Sequence, residues 1–162
     1  MKRITFFVVV AIIAATFSAS GQKADFTGTW KIDRSVSVVS EYFPTLATIT
    51  INIDGETLKT ERVYEGGDGQ EYPFTENLTL DGKEYKITIF DMPRKSKAAW
   101  TEQENTILIE SVTTFYESGS PEDFVSKENW KVDKTTGILT ISFVNSSSYG
   151  EIKGAFYYKK TG

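Results

Sequence analysis

The chain has 162 residues with no cysteine and no histidine. Those absences exclude disulfides, Ser-His-Asp and Cys-His nucleophile systems and the usual zinc sites, and leave carboxylate, lysine, tyrosine and hydroxyl chemistry. The net charge of −4 at pH 7 disfavours nucleic acid and anionic membrane surfaces as partners.

In chain order, Lys2 and Arg3 precede an apolar run from Phe6 to Phe17, and small residues follow at Ser18, Ala19, Ser20 and Gly21. That order predicts a secretory signal peptide over residues 1–21. The run is about 12 residues, short of the roughly 20 that span a bilayer. Cleavage after Ser20 (Ser18 at −3) and after Gly21 (Ala19 at −3) both fit. Residues 22–162 are long enough for one domain with its own core. Without Lys2 and Arg3, 16 basic residues stand against 22 acidic ones, a net charge of −6. The expectation is a secreted or periplasmic protein, monomeric, soluble and outside the membrane once the leader is removed.

The remaining chain reads as short runs with period-two alternation, bounded by turn residues. The first is Thr29 to Asp33. A looser stretch from Arg34 to Pro44 is placed across the end of the fold as a lid or short helix. Leu46 to Ile53 carries Ile49, Ile51 and Ile53 on one face. Asp54-Gly55 is a hairpin turn into Thr57 to Tyr64. After the glycine-rich loop 66–69 come Tyr72 to Leu80, a second hairpin turn at Asp81-Gly82, and Glu84 to Phe90. Asp91-Met92-Pro93-Arg94 reads as a break, and Arg94-Lys95-Ser96-Lys97 as a solvated basic loop. Strands are then expected at Ser96 to Glu102, Thr106 to Tyr116, Phe124 to Val132, Ile138 to Val144 and Tyr149 to Lys160. About ten strands with tight turns predict an all-β domain: a single antiparallel up-and-down barrel of about 8–10 strands. Closure removes the exposed edges a single large sheet would keep.

The stretch Asp25-Phe26-Thr27-Gly28-Thr29-Trp30-Lys31-Ile32-Asp33 fits the floor of such a barrel. Trp30 is a flat ring able to plug the closed end, with an indole N–H to satisfy there, and Gly28 permits the sharp approach. This stretch resembles the G-x-W opening of lipocalins and related calycin barrels. More closely, the chain resembles the lipocalin-like domains of exported bacterial proteins. The further blocks are Leu58 to Tyr64, Ala98 to Ser111 and Trp130 to Ile141, and the resemblance covers most of residues 25–160. It implies a lipocalin-like barrel and carries over no ligand.

If the apolar positions face inward, parity sends several polar residues inward with them. Arg62 and Tyr64 follow Leu58. Glu76 lies between Phe74 and Leu78, Glu110 between Leu108 and Val112, and Glu128 precedes Trp130. Glu102 follows Ala98 and Trp100 but falls at a strand end, in water. Buried carboxylates need partners, so the candidate ligand-binding set is Arg62, Tyr64, Glu76, Trp100, Glu110, Glu128 and Trp130. Gly28 and Trp30 are structural. A carboxylate pair could serve glycoside hydrolysis, but nothing in the sequence brings two to one cleft. Asp68 lies among glycines without the ligand spacing of a calcium loop. The sequon Asn77-Leu78-Thr79 reads as chance. No metal, cofactor or catalytic residue is expected. The function expected is non-catalytic binding of a small, partly apolar molecule in the barrel. The alternatives are a protein-protein interaction module with a filled barrel and, more weakly, a carboxylate- or tyrosine-based enzyme.

Overall fold

The computed structural model describes residues 24–37, 44–103, 105–117 and 119–161. The leader and most of the expected lid lie outside the described residues. Ten strands run in chain order: β1 Gly28–Ile32, β2 Thr45–Asp54, β3 Thr57–Glu65, β4 Glu71–Thr79, β5 Tyr85–Ile89, β6 Met92–Trp100, β7 Thr106–Glu117, β8 Ser120–Val132, β9 Leu139–Ser147 and β10 Gly150–Thr161. They form one antiparallel sheet in the order β4-β3-β2-β1-β10-β9-β8-β7-β6-β5. Because β1 pairs with both β2 and β10, the meander curls round until β4 faces β5 and β6, and the sheet is nearly closed into a barrel.

Closure is incomplete at one seam. The expected hairpin at Asp81-Gly82 is a turn, but its strands part: β4 and β5 are the two edges of the sheet. The turn pairs with the end of β6 instead. Gly82 N–H donates to the Ala98 carbonyl at 2.8 Å, and Asp81 bridges to Ala99. Side chains do the rest, through Thr79 and Tyr85 at 3.0 Å and through Glu76, described below.

Two other boundaries differ from the sequence reading. Residues 91–97 are not a break and a solvated loop. The β5–β6 turn is Phe90-Asp91, Met92 begins β6, and Arg94 and Ser96 point inward and are buried. Strand β8 begins at Ser120, and β9 extends through Ser147, so both neighbouring turns shrink to two residues. Prolines fit these strands because each lies where the strand has one neighbour. Pro73 is on edge strand β4. Pro93 pairs only with Thr88, and Pro121 only with Tyr116. A missing N–H costs no ladder bond on the free side.

The alternating direction of the strands gives the barrel two ends. Among the described residues, the floor carries the turns at 55–56, 80–84, 101–103 with 105, and 133–138; the mouth carries 33–37 with 44, 66–70, 90–91, 119 and 148–149. Residues 24–27 close the floor. Ala24 N–H donates to Asn105 Oδ1 at 2.6 Å, and Phe26 meets Trp100 edge-on at 5.8 Å. Trp30 is 1% exposed, and its indole N–H donates to the Phe26 carbonyl at 2.8 Å. Gly28 has φ of +132°, and a Cβ there would strike the Lys160 stem, whose ammonium lies 5.5 Å from the Trp30 ring centroid. Above the plug, Ile49, Ile51, Leu58, Leu78, Ile107, Ile109, Leu139 and Ile141 fill the lower barrel as one apolar core.

Candidate functional site

A charged layer lies on this core. It starts on β3, whose inward face reads Leu58, Thr60, Arg62, Tyr64. Period two obliges the last three to enter the barrel once Leu58 is in the core. Across the β3–β4 pair, Thr60 opposes Glu76 and Arg62 opposes Phe74. Strand β6 adds Arg94 and Ser96, β7 adds Ser111 and Thr113, and β8 adds Ser126, Glu128 and Trp130. Arg62, Glu76, Arg94 and Glu128 are 0%, 1%, 7% and 7% exposed, so each charge must be answered inside the protein.

The four charges alternate. Arg62 Nη1 donates to both Glu128 oxygens, at 2.9 and 3.1 Å. Glu128 also accepts from the Trp130 indole at 2.8 Å, and that ring lies 5.1 Å from the Arg62 guanidinium. Arg62 Nη2 is 3.8 Å from Glu76, an attraction too long for a hydrogen bond. Arg94 Nε and Nη2 donate to Glu76 at 2.8 and 3.5 Å, and Arg94 Nη1 donates to Thr113 at 3.1 Å. The Ser96 hydroxyl makes a short hydrogen bond to Glu76. Thus one carboxylate from an edge strand latches onto β6 across the seam that backbone bonds leave open.

These contacts set the protonation states. Burial pushes the Glu76 carboxyl up, but the charges of Arg62 and Arg94, with hydrogen bonds from Arg94 and Ser96, outweigh it and hold it below its ordinary value. Burial opposes the Arg62 charge, and Glu128, Tyr64 and Glu76 more than compensate, so Arg62 is held firmly as a cation. Burial raises Tyr64 and Tyr158 above the usual phenol value. Both stay protonated near neutrality, and the Tyr158 hydroxyl donates to the Leu46 carbonyl at 2.9 Å.

Hydrogen bonding is uneven between the two arginines. Arg94 uses all three nitrogens. Arg62 uses Nη1 alone, with a further 3.5 Å contact to the Tyr64 hydroxyl. Its Nε and Nη2 are buried without a hydrogen-bond partner, as is the Thr60 hydroxyl two residues away on the same face. Buried donors are ordinarily satisfied, and leaving one unmet costs about 1–3 kcal/mol.

Above the layer, aromatic rings lead to the mouth. Phe74 lies 5.9 and 5.7 Å from the Arg62 and Arg94 guanidiniums. It stacks on Tyr64 at 5.9 Å and meets Phe90 edge-on at 6.2 Å; Phe90 in turn meets Tyr72. Phe90 is 49% exposed. It and Asp91 hold the β5–β6 turn at φ of +48° and +63°. A bulky residue in the left-handed region is strained, where Asn-Gly would sit without cost.

The structure therefore gathers Arg62, Tyr64, Glu76, Glu128 and Trp130 and separates two other candidates. Trp100 lies at the floor against Phe26, in the plug rather than beside the charged layer. Glu110 is on the outer face. Inward parity on β7 belongs to Ile107 and Ile109, not to Leu108 and Val112, and Glu110 meets Lys97 and Lys127 at 2.8 and 3.4 Å on the surface. Glu102 and Asn77 are exposed. Asp68 Oδ1 accepts from Gln70 N–H within its own turn, and no acidic group arranged to hold a metal ion occurs among the described residues. The sequence reading missed Arg94, Ser96 and Thr60. The period-two face Arg94, Ser96, Ala98, Trp100 was the available signal. Comparison with protein-family models, with curated proteins and with solved structures returns no match.

Proposed function

We propose that this chain is an exported, non-catalytic binding protein of the lipocalin-like kind, which holds a small, partly apolar molecule in its barrel. One observation carries the reading: Arg62 Nε and Nη2 are buried donors with no hydrogen-bond partner, beside the equally unmet Thr60 hydroxyl. A ligand's oxygen would satisfy them, and its apolar part would lie along Phe74 and Phe90 toward the mouth. Phenols held protonated and carboxylates saturated by arginine supply no ready base or nucleophile, which favours binding over catalysis.

The second reading, an interaction module with a filled barrel, is favoured by the Arg62–Glu128 pair and the Trp130 ring beneath it, which occupy the middle of the barrel. Native mass spectrometry of protein purified from its own host separates the two. A copurified small molecule that is lost on Arg62→Met substitution is the expected result. Protein that carries nothing and binds no apolar dye would leave the interaction module standing.

A further inference from the structure

The chemistry of the ligand's head follows from the charges and hydrogen bonds of this layer, and rests on the binding reading above. Arg62 and Arg94 are matched by Glu76 and Glu128, so the layer is neutral before anything binds. Both carboxylates are occupied: Glu76 by Arg94 and Ser96, Glu128 by Arg62 and Trp130. The unmet groups are the Arg62 Nε–H, its Nη2 donors and the Thr60 hydroxyl. A third carboxylate could accept from these donors. It would also bring a third anion beside two guanidiniums already neutralised, in surroundings with little water to screen the repulsion. A neutral carbonyl oxygen meets the same donors and leaves the layer balanced.

We infer that the barrel selects molecules with a neutral carbonyl head, an ester, amide or ketone on an apolar tail, over the matching free acids. The carbonyl oxygen accepts from Arg62 Nε–H or Nη2–H, with Thr60 able to donate alongside. The tail follows the rings of Phe74 and Phe90, which touch the layer at one end and water at the other. Edge contacts with Phe74 and Tyr72 place the outermost ring, Phe90, beside that path.

The test titrates the purified chain at neutral pH with methyl dodecanoate and, separately, with dodecanoate, by calorimetry and by nitrogen–proton NMR of the arginine Nε–H groups. The ester is expected to bind at least about tenfold more tightly than the acid and to shift the Arg62 Nε–H resonance. Thr60→Val keeps the shape and all four charges, and is expected to weaken ester binding by about threefold or more without disturbing the fold. Equal or tighter binding of the acid overturns the neutral-head inference and leaves the binding reading in place. An ester that binds without moving the Arg62 resonance likewise overturns only the inference. Failure of both probes to bind below about 1 mM overturns both.

Discussion

Replacing Arg62 by methionine keeps much of the side chain's volume and removes its charge. Glu128 then loses its contacts at 2.9 and 3.1 Å and retains the Trp130 indole at 2.8 Å. Glu76 loses only the 3.8 Å attraction and keeps Arg94 and Ser96. The stranded group is therefore Glu128, 7% exposed. Removing one partner of a buried pair costs about 3–5 kcal/mol, and the retained indole places this site near the lower end. A loss of about 3 kcal/mol in a domain of this size lowers the Tm by roughly 9 °C. Urea and thermal unfolding followed by tryptophan fluorescence measure it. Adding Glu128→Gln removes the stranded charge while an amide oxygen still accepts from Trp130, so the double variant should recover about 2 kcal/mol. A single variant within about 0.5 kcal/mol of the parent, or a double variant no more stable than the single, would refute the assignment of Glu128 as the dependent partner.

Trp30→Ala should cost about 3 kcal/mol or more in urea unfolding, because the ring is the floor plug; Trp30→Phe, which loses mainly the bond to the Phe26 carbonyl, about 1 kcal/mol. Glu76 titrates below its ordinary value of 4.5 in the folded chain, burial being outweighed by Arg62 and Arg94. Its contribution is therefore complete above that ordinary value and lost as pH falls through the lowered one. Glu76→Gln should flatten the acid limb of the stability–pH curve, and an unchanged limb would count against the latch. Glu110→Gln, on the outer face, should leave both the unfolding midpoint and methyl dodecanoate binding unchanged within error; weakened binding would return Glu110 to the site.

Most of the barrel was legible because period two and tight turns are local properties. Asp54-Gly55, Gly119 and Gly137 mark turns by backbone chemistry that no distant contact needs to supply, and each glycine has positive φ. The seam was not legible. Asp81-Gly82 forms a turn whichever strand it finally pairs with, and only curvature of the whole sheet brings Ala98 and Ala99 to it. Arg94 was hidden by Pro93. A proline reads as a break until the register shows that β7 pairing begins one residue later, at Arg94. Glu110 was misplaced because β7 carries apolar residues on both faces. Its true partners, Lys97 and Lys127, sit directly opposite it on the two neighbouring strands and become visible only once those pairings are known.

Arg62, Glu76 and Glu128 were recoverable for a different reason. Each sits at the inward parity of a strand whose face also carries buried apolar residues, a pattern that is costly unless the charges meet. They do meet, yet a balanced ion-pair layer alone does not account for what is found. Well-packed hydrophobic residues in place of a buried pair are often as stable or more so, and a barrel kept only for its shape has no use for guanidinium donors left unmet. Nor does it need a phenylalanine in a left-handed turn, where asparagine or glycine would sit without strain. These two local costs lie along one path. Phe90 touches Phe74, and Phe74 touches both guanidiniums. A molecule seated along that path would meet the unpaired donors with its head and cover the strained ring with its tail. It would satisfy the unmet donors and bury the exposed Phe90 ring; the backbone strain of the turn would stay, so the unmet donors are the cost that the proposed binding removes.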